Sequence, residues 1–385
     1  MAKKKKRLLV NLLVLLITLA VFFGAFEVLL RLFWYQNPVW NKYNDYFVYT
    51  SNSGQKFVLP YPEGAKEMTV NEKGYMGPVI PYENPGGKDR VFMIGDSFIE
   101  CFRPGLENCS STRLQQMLGA DYEVIAYGTA SWALDNEYKV IEMEGTKYGP
   151  RTVIVAYYIN DFWDASRDLV FSVDANGSLR DNTPIKWNFS KKLFFNVNQY
   201  SYVARFFTDA ISKRISMDSL ARLMGATSFP RAQELSSISW GVPSAIFYSD
   251  DQETIEATYR KADLILAKYR ELEEKYGFRL VFAIIPLKEQ VSDMRLASLK
   301  ERFNLSGGFD INLPYDRITG LMKKNGLEVV YDLDAFSEAE SALEARGLSL
   351  FYENDTHFNP AGQELFARVI YDHVWGAIPW ERTNP

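Results

Sequence analysis

From Arg90 onward the chain alternates short apolar runs rich in β-branched residues with longer amphipathic stretches, and this alternation constrains its fold more than any other feature. The runs at 90–94, 123–126, 152–158, 279–285 and 328–331 are each of strand length. The segments between them are long enough to hold a crossover, which parallel strands require and hairpins do not. The pattern therefore predicts βαβ units and a parallel sheet. The clearest helix is expected over 251–276, where Ile255, Tyr259, Ala262, Leu266, Tyr269 and Leu272 recur at three- and four-residue spacing and one face must be buried. Ser249 and Asp250, followed by Gln252 and Glu253 at capping-box spacing, mark its expected start. Residues 168–247 interrupt the pattern with aromatics, basic residues and turn formers, an insertion expected to cover one rim of the sheet and either shape a cleft or serve packing alone.

Ahead of this region lies a second constraint. Residues 8–26 contain only Asn11 and Thr18 as clearly polar members, and at ~1.5 Å per residue a helix of that length crosses most of a ~30 Å hydrocarbon layer. A cleaved signal peptide would have a shorter apolar region ending in a small-x-small site, which AVFFGAFEVLL at 20–30 does not offer. The reading is a single transmembrane helix within 8–35. Lys3, Lys4, Lys5, Lys6 and Arg7 keep the 1–7 tail cytoplasmic by the positive-inside rule and send the remainder outward, to the periplasm or beyond the cell. Glu27 and Arg31 stand four apart and can pair where the helix leaves the membrane, with Trp34 and Tyr35 suited to the interface. Residues 36–88, rich in Pro, Gly and Asn, read as an extended lead-in to a main domain at 89–380.

Formal net charge is −5, and the basic tail supplies +5, so the part after it carries −10. An acidic ectodomain lacks the basic footprint that nucleic-acid binding needs. Cys101 and Cys109 are the only cysteines; in an oxidising compartment they can close a small loop if their Cα atoms come within ~7 Å. Neither a C-x-x-C pair nor HExxH occurs, so no metal or other cofactor is expected.

Candidate chemistry lies at two places far apart in the chain. Val91-Phe92-Met93-Ile94-Gly95-Asp96-Ser97-Phe98 runs an apolar strand into a serine and then a helical pattern, which puts Ser97 at the carboxyl end of a parallel strand, with helix N-terminal N–H groups behind it. Near the other end, Asn354-Asp355-Thr356-His357-Phe358-Asn359-Pro360 precedes a terminal helix with Asn359 as N-cap and Pro360 at its first position. Residues two apart in a non-helical segment can point the same way, so Asp355 can orient the His357 imidazole toward a hydroxyl. Serine needs such a base. The other histidine, His373, falls within the last amphipathic helix among apolar residues and reads as structural.

Gly95-Asp96-Ser97-Phe98, Gly128, Asn160-Asp161 and Asp355-x-His357, in this order and each at a strand end, resemble the SGNH (GDSL-type) hydrolase superfamily over about 90–376. The resemblance implies a flavodoxin-like three-layer α/β/α fold with a five-stranded mainly parallel sheet. It also implies attack of Ser97 on an ester carbonyl, with the oxyanion held by the Ser97 N–H, the Gly128 N–H and the Asn160 side chain. Two positions depart from the glycine block, Ala126 where Asn is frequent and Ser131 where a second Gly is. Asn71-Glu72-Lys73-Gly74-Tyr75-Met76-Gly77 is similar to a lead-in of membrane-anchored members, with Met76 where Arg is frequent. The expected activity is that of a serine esterase or O-acyltransferase acting on acylated carbohydrate or another ester of the envelope. The competing reading is a non-catalytic scaffold or carbohydrate-binding component built on the same fold.

Overall fold

A computed structural model describes residues 2–34, 41–187, 189–212, 242–249, 252–305 and 307–376. They fall into two compact units, one within 1–42 and 187–228 and the other within 43–186 and 229–385.

The larger unit is built on a five-stranded sheet. Its strands are Asp89–Gly95, Tyr122–Gly128, Thr152–Tyr157, Arg279–Ile284 and Glu328–Val330, close to the runs read from the sequence. Shorter strands lie before and among them: Asn41–Asn44 (β1), Val48–Ser51 (β2), Lys56–Tyr61 (β3) and Gly64–Thr69 (β4) come first, and Phe171–Val173 and Leu179–Asp181 follow the third sheet strand. In chain order the sheet strands are thus β5, β6, β7, β10 and β11, with β8 and β9 the short pair. They lie side by side as β11-β10-β7-β5-β6, and every neighbouring pair is parallel. The chain starts in the middle, adds one strand on one side and three on the other. That is the doubly wound order whose switch point, between β5 and β7, is where ligands bind beyond the strands' carboxyl ends.

Burial explains why these segments are strands. Val91–Ile94 and Val153–Tyr157 are almost wholly inaccessible, as strands covered by helices on both faces must be. The helices of this unit are α2 (Ser97–Glu100), α3 (Ser110–Leu118), α4 (Leu134–Met143), α5 (Ile159–Asp164), α8 (Glu253–Tyr276), α9 (Asp293–Arg302), α10 (Leu313–Lys324), α11 (Leu333–Glu344) and α12 (Pro360–Trp375); α1 (Ala2–Phe33), α6 (Phe189–Tyr200) and α7 (Tyr202–Ser212) belong to the smaller unit. Helix α8 buries the apolar face read from its spacing, and Tyr269 there keeps its hydroxyl satisfied on the Leu134 carbonyl at 2.8 Å. Each such Leu, Ile or Phe contributes ~1.5–3 kcal/mol on full burial. Its start differs from expectation: the N-cap is Gln252, whose side chain makes no capping bond, and Asp250 lies outside the described residues.

The 36–88 lead-in has more order than its composition suggested. Strands β3 and β4 form an antiparallel hairpin with Tyr61 opposite Gly64, so that Pro62 and Glu63 make its tip. Of the 168–247 insertion, β8 and β9 form a second hairpin, and residues 213–241 lie outside the described residues.

In the smaller unit, α1 contains a stretch, Leu9–Phe33, long and apolar enough to cross a membrane. Glu27 and Arg31 pair at 2.8 Å near its end. Trp34 packs edge-on against Phe206 at 5.3 Å, and Tyr35 lies outside the described residues.

Candidate active site

Strand β5 ends at Gly95, and the next residue sets the local geometry. Asp96 is the N-cap of the short helix α2, its buried carboxylate accepting from the Phe98 N–H at 2.9 Å. That cap stiffens the strand-to-helix turn and leaves Ser97 at the first helical position, its Oγ 3.3 Å from Asp96 Oδ2. The same Oδ2 accepts from Asn160 Nδ2 at 3.2 Å. Asn160 stands in the first turn of α5 just beyond β7, so the side chain of Asp96 ties together the two strand ends flanking the switch point. Burial pushes the Asp96 carboxyl up from its ordinary range, against the pull of these donors.

The other half of the site comes from the segment between α11 and α12. Phe351 and Phe358 form an antiparallel bridge, and the Tyr352 N–H donates to the His357 carbonyl at 3.1 Å. Phe358 is fully buried against Phe336, Phe351, Phe366 and Phe98. With Phe358 locked inward, His357 faces the strand ends. Its Nε2 lies 2.7 Å from Ser97 Oγ and its Nδ1 2.5 Å from Asp355 Oδ1, linking residues 260 apart in sequence. A carboxylate only accepts, so Nδ1 carries the proton and Nε2 is left to accept from the serine hydroxyl. Asn359 caps α12 through the Ala361 and Gly362 N–H groups and also donates to the Ser349 carbonyl at 2.6 Å.

Two contributors, Arg103 and Gln363, were not legible in the sequence. Arg103 donates to Asp355 Oδ2 at 2.7 Å, pairs through its other nitrogens with Glu63 at the β3–β4 hairpin tip, and lies 3.8 Å over the Tyr352 ring. Burial acts to raise the Asp355 carboxyl, but hydrogen bonds and charge from His357 and Arg103 outweigh it and hold the group well below the usual carboxylate range. Gln363, buried in α12, donates to the Phe98 carbonyl at 3.2 Å and accepts from the Ser110 N–H at 2.8 Å, joining the helix that follows His357 to α2 and α3. Cys101 and Cys109 are disulfide-bonded, with Cα atoms 5.8 Å apart, and the loop they close carries Arg103. Only spatial proximity marks Arg103 and Gln363; the cysteine spacing was the one advance sign of that loop.

Gly128 ends β6 in register with Gly95. A Cβ there would sit 2.2 Å from the Glu100 nitrogen and 2.5 Å from the Ile99 carbonyl carbon, so only glycine lets α2 pack this closely on β6. The following loop is held by the Ala130 N–H on Glu100 Oε2 at 2.9 Å, and Ser131 adopts φ +62°. That left-handed conformation suits the glycine frequent at this point in the resembled family. His373 faces outward rather than into an apolar core, with its Nε2 3.0 Å from Glu328. It takes no part in the site.

Beneath the strand ends lies a group of buried acids. Neither Glu137 carboxylate oxygen has a hydrogen-bond partner among the described residues, and Asp161 has one oxygen bound, by the Tyr158 N–H at 2.8 Å. Burial raises both carboxyls, and neighbouring carboxylates raise them further, Asp96 and Asp135 for Glu137 and Glu137 and Asp96 for Asp161.

Residues 241–383 match the family model of the SGNH hydrolase-like domain of the acetyltransferase AlgX. This covers well under half of the chain and includes Asp355 and His357, while Ser97 precedes it. No curated protein matches the sequence significantly. Solved structures similar to it include the acetyl xylan esterase AlAXEase, at 14% identity over 74% of this chain and 99% of that one with a TM-score of 0.38. Also similar are the acetylxylan esterase Axe2 from Geobacillus stearothermophilus, at 12%, 77%, 99% and 0.37, and LAE5, an alpha/beta hydrolase from the metagenome of Lake Arreo in Spain, at 11%, 77%, 98% and 0.39. The family match over 241–383, the ordered motif blocks and the doubly wound sheet with its strand-end serine agree with the resemblance to the SGNH (GDSL-type) hydrolase superfamily.

Proposed function

We propose that the protein is a serine-dependent ester hydrolase or O-acyltransferase, acting outside the cytoplasm on O-acylated carbohydrate of the cell envelope or an exopolysaccharide. The observation that carries this reading is the unbroken chain of hydrogen bonds from Ser97 Oγ through His357 to Asp355, at 2.7 and 2.5 Å. Ser97 Oγ attacks the ester carbonyl as His357 Nε2 takes its proton; Asp355 holds the tautomer and stabilises the imidazolium. The tetrahedral oxyanion is assigned to the Ser97 N–H, the backbone at Gly128 and the second N–H of the Asn160 amide, where one donor is worth ~2.7–4 kcal/mol. His357 then returns the proton to the leaving alkoxide. Water or a sugar hydroxyl takes the acyl group from Ser97 and regenerates the hydroxyl.

Support for the carbohydrate substrate comes from the AlgX-type acetyltransferase family match over 241–383. The anchor and outward orientation are supported by the apolar α1 helix behind a basic tail and by the disulfide, a bond typical of oxidising compartments. Full-length protein in nanodiscs, given an acetylated polysaccharide or p-nitrophenyl acetate, should release acetate. Adding a polyol or unmodified polysaccharide and assaying acetyl on the acceptor separates transferase from hydrolase. A folded wild type that is inert on every such ester would contradict the proposal.

A further inference from the structure

Helices α6 and α7 of the smaller unit each expose apolar side chains in a row. The apolar residues Phe189, Leu193, Val197 and Tyr200 form one stripe along α6 at helical spacing, with relative exposures of 77%, 50%, 44% and 71%. On α7, Phe207 and Ile211 stand four apart and are 47% and 38% exposed. Between the two helices a polar group is buried: Asn198 accepts from the Thr208 hydroxyl at 2.8 Å and receives Arg205 Nε on its carbonyl at 2.7 Å. Water would favour the opposite arrangement. An apolar environment rewards this one, because the buried polar groups satisfy each other and the outer face meets hydrocarbon.

The attachment to α1 states where that environment is. Glu27 accepts from the Tyr202 and Val203 N–H groups at 3.0 Å each and from the Ser201 hydroxyl at 3.0 Å, so its carboxylate caps the N-terminus of α7. Arg31 bonds Glu27 at 2.8 Å and the Tyr200 carbonyl, the last of α6, at 2.7 Å. Phe26 and Trp34 both meet Phe206 edge-on, at 5.5 and 5.3 Å. Glu27 stands about 27 Å along the axis from Leu9 at 1.5 Å per residue, close to the ~30 Å hydrocarbon thickness. The two helices are therefore fastened to α1 where it would leave the bilayer. In sequence, α6 and α7 carry Lys191, Lys192 and Arg205 against Asp209 as their sole acid, a basic balance that suits an anionic surface.

We infer that α6 and α7 form an interfacial collar, their outward apolar stripe lying in the acyl–headgroup boundary of the leaflet from which α1 emerges. The occupant of this face is lipid. The inference rests on the reading of α1 as a membrane anchor, and the test separates the two.

The chain has no free cysteine among the described residues, so single cysteines can carry a fluorophore. Full-length Phe207→Cys, Val197→Cys and, as the reference for α1, Val14→Cys are labelled with bimane in nanodiscs of anionic lipid. Each is quenched in turn by brominated acyl chains and by aqueous iodide. Labels at 207 and 197 are expected to lose emission severalfold to bromolipid and little to iodide, as at 14. If 14 responds to bromolipid but 207 and 197 respond to iodide, the collar is overturned and the anchor stands. If 207 and 197 are shielded from both quenchers, protein covers the face and the collar is overturned. If 14 responds to iodide, the anchor reading fails and takes the collar with it.

Discussion

Replacing Gly128 by alanine tests whether the packing of α2 on β6 sets the position of Ser97, the proposed nucleophile. The added Cβ would lie 2.2 Å from the Glu100 nitrogen and 2.5 Å from the Ile99 carbonyl carbon, both backbone atoms that no rotamer change can remove. To restore ordinary contact the two elements must part by about 1 Å. Helix α2 is four residues long with Ser97 at its start, so it cannot recede at Glu100 without carrying Ser97. The 2.7 Å approach of Ser97 Oγ to His357 then lengthens or bends. Overpacking of this kind costs ~1–3 kcal/mol of stability, and a 1 Å misplacement at a reacting centre can cost about 10²-fold in rate. The assay pairs urea unfolding with the rate of fluorophosphonate labelling of Ser97. Gly320→Ala is the control, since its Cβ meets nothing within 4 Å inside a helix; it should gain up to ~1 kcal/mol and label at the wild-type rate. The reasoning is refuted if Gly128→Ala is as stable as wild type and labels as fast.

Asp355→Asn preserves the contact with His357 but favours the wrong imidazole tautomer, so kcat should fall by about 10⁴ with little change in KM; steady-state ester hydrolysis reads this. Reducing the Cys101–Cys109 bond reopens the loop that presents Arg103 to Asp355. From loop length alone it should cost about 2–3 kcal/mol, measured by urea unfolding with and without a phosphine reductant. Burial raises the Asp135 and Asp164 carboxyls to about 6 each, partly offset by Lys261 and Arg167. A raised folded-state value means the native state holds protons the unfolded chain has released, so their stabilising share is present at low pH and lost as pH rises through 6. Unfolding free energy should therefore drop by roughly 1 kcal/mol per group between pH 5 and 7.5, and Asp135→Asn should flatten that slope. Asp355, held low, acts oppositely and contributes only above the ordinary carboxylate range.

The sheet was readable because burial on both faces forces continuous apolar runs, and the serine and histidine were readable because each sits where such a run or a capped helix ends. Both signals are local. Arg103, Glu63 and Gln363 act across tens to hundreds of residues, where no periodicity connects them. Gly128 could be singled out as a glycine at a strand end, but the reason for it, the backbone of α2 against it, belongs to tertiary packing. The β3–β4 hairpin was hidden because its strands, KFVLPY and GAKEMT, contain Pro60 and Gly64 and alternate poorly. Helices α6 and α7 were obscured for another reason: apolar residues such as Leu193, Val197 and Phe207 are exposed while Asn198 is buried, against the rule by which helices are oriented from sequence.

The most direct test is to trap the acyl-enzyme. Full-length protein is mixed with p-nitrophenyl acetate, acid-quenched within the first turnover, digested and examined by mass spectrometry. One acetyl group on the peptide bearing Ser97, at Ser97 itself, absent from Ser97→Ala and greatly diminished in His357→Ala, is the expected result. An unmodified Ser97 under conditions where the protein turns over ester, or acetyl on another residue that persists in Ser97→Ala, would contradict the account.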